Sequence, residues 1–148
     1  MTRGEKAEKL FREGLNCAQA VFLAFDDVIK LDKNTMLTLS AGFGGGFGRM
    51  REVCGTVSAM TAVISHCNAS TDPTDREKKA ELYKKIQGAM KEFAQANNGT
   101  YICKDLLKGA FDGSHIPDER TPEYYAKRPC PKLCHIAADI AAKYINEE

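Results

Sequence analysis

Six cysteines stand in a chain of 148 residues, and their positions carry more chemistry than any other side chains here. Cys17, Cys54, Cys103 and Cys130 each fall at or within one turn of an expected helix start. Unpaired backbone N–H groups and the positive end of the helix dipole favour a thiolate there. If the four starts converge, they surround four sulfurs with electropositive backbone. That setting suits an anionic iron–sulfur cluster, a structural zinc ion or a reactive dithiol. With a cluster or zinc, all four cysteines are the metal ligands. In a thiol–disulfide protein, Cys54 is the catalytic nucleophile and another of the four resolves it. Such an enzyme would be an oxidoreductase. The bland alternative is that the cysteines serve mainly as small hydrophobes in a core.

Cys54 has the most distinctive surroundings. It follows a run holding five glycines in seven residues, Gly42, Gly44, Gly45, Gly46 and Gly48, too costly a composition for a helix or strand interior. The run is therefore a turn, and Phe43 and Phe47 are expected to anchor it against the core. It lacks the Gly-Lys-Ser/Thr ending and the glycine register of a nucleotide loop, which sets phosphate cradling aside. What its bare backbone can approach is a sulfur, most directly that of Cys54. With the helix dipole, Gly55 and the nearby Arg49 and Arg51, Cys54 is expected to have the most depressed pKa of the six.

The other two cysteines rank lower. Cys67 lies thirteen residues beyond Cys54, about 20 Å along a continuous helix, so the two cannot share one metal, and Cys67 is expected in the core. His66 beside it is a poor chelate partner, since adjacent helical residues point about 100° apart. Cys134 is one turn after Cys130 on the same face and is a reserve ligand. Cys130-Pro-Lys-Leu-Cys134-His135 misses the haem-attachment spacing by one residue. His115 sits in a polar loop without an evident partner, and no paired carboxylates or Ser/His/Asp set supports hydrolysis.

The elements that must hold these residues read as helices throughout. Thr2 with Glu5 makes a capping box for a short helix ending near Gly14. Asn16 caps a second, expected to run through Val28 and Ile29, and Asp32 or Asn34 caps a third that enters the glycine run. A fourth runs from Cys54 to Cys67, and a fifth starts at Asp72-Pro73 and closes at Asn97-Asn98-Gly99. Gly99 to Ile102 is faintly strand-like, Cys103 opens a short helix, and Asp112 to Pro129 is a long ordered loop carrying Tyr124 and Tyr125. A last helix starts around Cys130-Pro131. The fold class is all-α, a compact single-domain bundle over residues 1–148 with about five main helices and a glycine-rich loop.

Lys and Arg number 21 against 20 Asp and Glu, and no basic cluster interleaves with aromatics, so neither nucleic acid nor a membrane is an expected partner. No apolar run is long enough to span a bilayer, and the start of the chain has no secretory pattern, so a cytoplasmic protein is expected. Reduced thiols are the rule there, and six of them point to metal or redox work.

Asn16-Cys17-Ala18-Gln19-Ala20-Val21, the Gly-Phe-Gly-Gly-Gly-Phe-Gly-Arg loop, Cys54-Gly55, Cys103 and Cys130 together resemble the C_GCAxxG_C_C family of redox-active proteins. The similarity covers nearly the whole chain, and the family's four cysteines map onto Cys17, Cys54, Cys103 and Cys130. Its Cys-Gly-Ala-x-x-Gly core is relaxed here, with Thr56 and Ala59 as the departures. A related domain occurs as the non-haem part of split-Soret cytochromes, where it looks like an iron–sulfur carrier, and the resemblance implies a cluster serving electron transfer or redox sensing. A redox partner protein is then expected, and a homodimer is compatible with this reading.

Overall fold

The computed structural model describes residues 1–109 and 113–146. Its described residues form nine helices and no strand: α1 (Arg3–Arg12), α2 (Cys17–Leu23), α3 (Asp26–Ile29), α4 (Lys33–Ala41), α5 (Gly55–Asn68), α6 (Arg76–Ala96), α7 (Cys103–Leu107), α8 (Pro122–Lys127) and α9 (Cys130–Tyr144). The chain is all-α as expected, with nine helices in place of five. One further turn, Gly44–Phe47, contains left-handed Gly45 (φ 66°) and Gly46 (φ 71°) and is better described as the glycine turn than as a helix.

Local chemistry accounts for the helix starts. The Thr2 hydroxyl accepts from the Glu5 N–H and the Glu5 carboxylate returns the bond to Thr2, a complete capping box. Asn16 and Gln19 repeat the arrangement at α2. The second helix does not continue to Ile29, because the chain breaks at Phe25 before α3. Arg3 makes the break affordable: its guanidinium donates to the Ala24 carbonyl at 2.9 Å, pairs with Asp27 and lies over the Phe25 ring. The long helix α6 is capped by Asp75, whereas Asp72 closes the preceding turn by accepting from the Thr74 N–H. The faint strand survives as an isolated antiparallel bridge between Val53 and Ile102. Of the expected 112–129 loop, Asp112 lies outside the described residues. Within the rest of it, Thr121 caps and Pro122 opens α8.

These elements close around one apolar core, in which Phe11, Phe25, Met36, Met60 and Phe93 are fully buried. Helix α1 runs antiparallel along α9: the Gly4 N–H donates to Asp139, and Glu8, one turn on, meets His135. Helix α2 packs on both α5 and α9, and α6 covers those two from another side. No helix among the described residues is long and apolar enough to cross a membrane.

Two expectations about burial fail. Cys67 is exposed and not in the core. Phe43 and Phe47 stay partly exposed and pack edge-to-face on each other, with centroids 5.2 Å apart. The turn between them is held instead by backbone bonds, among them Gly48 N–H to Gly42 and Glu52 N–H to Gly46.

Candidate functional site

The starts of α2, α5, α7 and α9 do converge. Cys17, Cys54, Cys103 and Cys130 line a single cavity of about 60 Å³, whose apolar wall includes Phe11, Leu106 and Leu133 and whose rim includes Arg51, Arg120 and Arg128. None of the four is joined in a disulfide. Residues separated by as much as 113 positions in sequence are thus placed around one small hollow.

Each sulfur is held by its own device. Cys17 follows the Asn16 cap, which is itself tied to α4 through Asn16 Nδ2 to the Ala41 carbonyl at 2.9 Å. Its sulfur lies so close to the backbone of Gly55 that a β-carbon at position 55 would approach it to 2.7 Å and the Phe43 carbonyl equally closely. Glycine after Cys54 is therefore required by the neighbouring cysteine. Cys54 is the N-cap of α5, its N–H bonded to the Tyr101 carbonyl at 2.9 Å and its sulfur 3.0 Å from the Thr56 hydroxyl. Thr56, where the family pattern has alanine, is fully buried and is a direct partner of that sulfur. Cys103 opens α7 with its N–H on the Glu52 carbonyl at 2.6 Å. The buried Arg51 guanidinium lies 3.7 Å from its sulfur. Its β-carbon faces left-handed Gly46, where an added side chain would meet it at 2.8 Å. Cys130 opens α9.

The electrostatics correct the expectation for Cys54. Burial pushes its thiol strongly upward, nearby Cys17 adds to the rise, and bonds from the Thr56 side chain and backbone only partly oppose it. The glycine turn acts on Cys17 more than on Cys54: the Gly45 backbone lowers the Cys17 thiol, which burial nevertheless raises. Arg51 serves Cys103, and Arg49 reaches the Ile116 carbonyl and Asp118. Cys130 is pushed up to about 12, again by burial first and then by Cys17, with Arg128 and Arg120 opposing. Cys134 is buried behind the cavity with its thiol directed at the Cys17 carbonyl, 3.8 Å away, and burial raises it well above the ordinary range. Cys17 is the hub, felt by Cys54, Cys130 and Cys134 alike.

Among the described residues no three Cys, His, Asp or Glu side chains gather closely enough to hold one metal ion. The four thiols share a cavity without crowding to a point.

A family model with the description "Putative redox-active protein (C_GCAxxG_C_C)" matches residues 15–144. The chain belongs to the C_GCAxxG_C_C family. No curated protein and no solved structure matches it significantly. The match extends from just before Cys17 to the end of α9, and so takes in every residue that lines the cavity except Phe11.

Several residues at this C_GCAxxG_C_C site escape a reading by spacing. Arg120 donates to the Phe11 and Leu15 carbonyls and to the Tyr125 hydroxyl, with its guanidinium over the rings of Phe11, Tyr124 and Tyr125. Arg128 lies over Tyr124 and pairs with Asp118. The one available signal was Thr121-Pro122, a cap followed by proline at the first helical position, which marks α8 and hence an ordered platform for the tyrosines.

Proposed function

We propose that Cys17, Cys54, Cys103 and Cys130 hold an iron–sulfur cluster, and that the protein uses it for electron transfer or redox sensing with a redox partner protein. The reading is carried by the gathering of all four thiols on one cavity from four separate helix starts. Four thiolates are a sufficient set for either a cluster or a single zinc ion, and the resemblance to the iron–sulfur carrier domain of split-Soret cytochromes favours the cluster. When bound, such a group supplies one-electron chemistry. The residues around it would exclude water through Phe11, Leu106 and Leu133 and offset negative charge through Arg51.

The thiol–disulfide alternative loses its main support, because burial leaves Cys54 protonated near neutral pH and hence a poor nucleophile. For a cluster the same burial has a different consequence. Loading must expel thiol protons, so cluster affinity should rise with pH.

The test is a set of single variants reconstituted without oxygen. Cys17→Ser, Cys54→Ser, Cys103→Ser and Cys130→Ser should each bind less iron than the unaltered protein, while Cys67→Ser, at the far end of α5, should bind the same amount. Equal loss in Cys67→Ser would overturn the assignment.

A further inference from the structure

Residues 34–48, which make up α4 beyond its first residue and the glycine turn, carry no Asp, Glu, Lys or Arg, in a chain where those types make up 28%. In a buried segment that would be ordinary. Here Thr35, Thr38, Leu39, Ala41, Phe43 and Phe47 are exposed. The large apolar side chains among them run on to Met50. Leu39 and Phe43 are one helical turn apart, the Phe43 and Phe47 rings meet edge-to-face at 5.2 Å, and the Met50 N–H donates to the Phe47 carbonyl at 3.0 Å. Leu39, Phe43, Phe47 and Met50 stay 58%, 37%, 46% and 71% exposed. At about 200 Å² for a whole large apolar residue, the four present roughly 400 Å² of connected apolar surface.

The backbone holds them outward. Phe47, Arg49 and Arg51 have φ of 66°, 67° and 60°, a region that bulky residues enter only at a cost. Both arginines turn inward as a result, Arg51 buried and Arg49 reaching the Ile116 carbonyl, while Met50 between them faces out.

An exposed apolar surface stripped of charge has the composition of an interface core. Charge is what steers and selects a foreign partner, and this face has none to offer. It is instead complementary to itself, the condition for an isologous two-fold pairing. A net charge of +1 leaves little repulsion between copies. The area agrees as well. One side of a standard interface buries about 800 Å², of which roughly 480 Å² is apolar, and the four side chains with the methyl groups of Thr35, Thr38 and Ala41 come close to that.

We propose that the face from Thr35 to Met50 is a self-association surface, on which a second copy of this chain docks about a two-fold axis, glycine turn against glycine turn. The same turn walls the thiol cavity: Gly45 lines it, and the Cys103 β-carbon packs on left-handed Gly46. Pairing therefore sets two thiol cavities on either side of one interface. That they then hold two clusters rests on the iron–sulfur reading; the pairing itself does not.

The test is sedimentation velocity on the full-length reduced protein over about 1–500 μM, with circular dichroism of each variant as the check on folding. The unaltered protein should approach twice the 16.3 kDa chain mass as concentration rises. Leu39→Glu and Met50→Glu should each weaken the dimer about tenfold or more, since each buries an unpaired charge twice in a two-fold interface. Tyr83→Glu, at an exposed position of α6, should leave association unchanged. A monomer at every concentration, which would leave the face to a foreign protein, overturns the inference even if iron loads. A dimer indifferent to both Leu39→Glu and Met50→Glu pairs through another face and overturns it too. Iron content is measured on the same samples after anaerobic reconstitution, and a dimer sensitive to both variants that loads no iron supports the self-association face and sinks the cluster reading alone.

Discussion

At the scale of single residues, burial outweighs every local device that favours a thiolate. Cys54 has the helix start, the glycine neighbour and the Thr56 bonds, and its thiol is still pushed up. The metal-free, reduced protein should therefore alkylate at the exposed Cys67 first and at Cys54 and Cys134 last, read out by peptide mass across pH. Early labelling of Cys54 would contradict the burial argument. A stability consequence has a definite sign. A thiol raised on folding binds its proton more tightly in the folded state, so its contribution is complete below the unfolded pKa and is lost as pH rises through the folded one. For Cys130 that window runs from an ordinary value of 9.0 to about 12. The metal-free protein should lose stability across it, by up to several kcal/mol with Cys17 and Cys54 included, in denaturant titrations at pH 8 and pH 11. No loss between those values would contradict it. The sequence made the cation near Cys54 visible as Arg49 and Arg51, but not their targets, because a side chain's direction depends on the positive φ of both residues and on partners far along the chain.

At the scale of elements, the helix caps were legible and the breaks were not. Thr2/Glu5 and Asn16 are read directly from residue type and spacing, since a cap needs only its own first turn, while spacing leaves Asp32 and Asn34 as alternatives and puts the α6 cap at Asp72 instead of Asp75. The break at Phe25 needed Arg3 from another helix to satisfy the Ala24 carbonyl, and nothing within α2 announces it. The glycine turn was legible as a turn but was aimed at the wrong sulfur. Its Gly45 backbone acts on Cys17, and Gly55 is the surface against which that sulfur rests. Gly55→Ala tests this contact. A β-carbon 2.7 Å from both Cys17 Sγ and the Phe43 carbonyl should cost about 1–3 kcal/mol by overpacking, lower the melting temperature by several degrees and reduce iron loading through displacement of Cys17. A melting temperature and iron content both equal to those of the unaltered protein would show that the contact is relaxed elsewhere.

At the scale of the whole molecule, the fold is a bundle in which α1, α2, α5, α6 and α9 build the core, while the starts of two long helices, α5 and α9, and two short ones, α2 and α7, bring the four cysteines to one cavity. Helical spacing gave the first part, because amphipathic stripes such as that of α6 repeat within a single element. The convergence of the second part could be read only as a condition, that four helix starts meet, and the packing of α2 on α5 and α9 fulfils it. The approach of Arg120 and Arg128 to the thiol cavity had no counterpart in the sequence, since both lie more than 60 positions beyond Cys54 and share no period with it. The central claim is that the thiol cavity holds a cluster, and it is tested most directly by the iron and acid-labile sulfide content of protein purified without oxygen, together with its visible absorption. The account predicts iron and sulfide in comparable amounts and a brown protein that bleaches on reduction. Colourless protein carrying one zinc, or metal-free protein whose thiols titrate as oxidisable pairs, would contradict it.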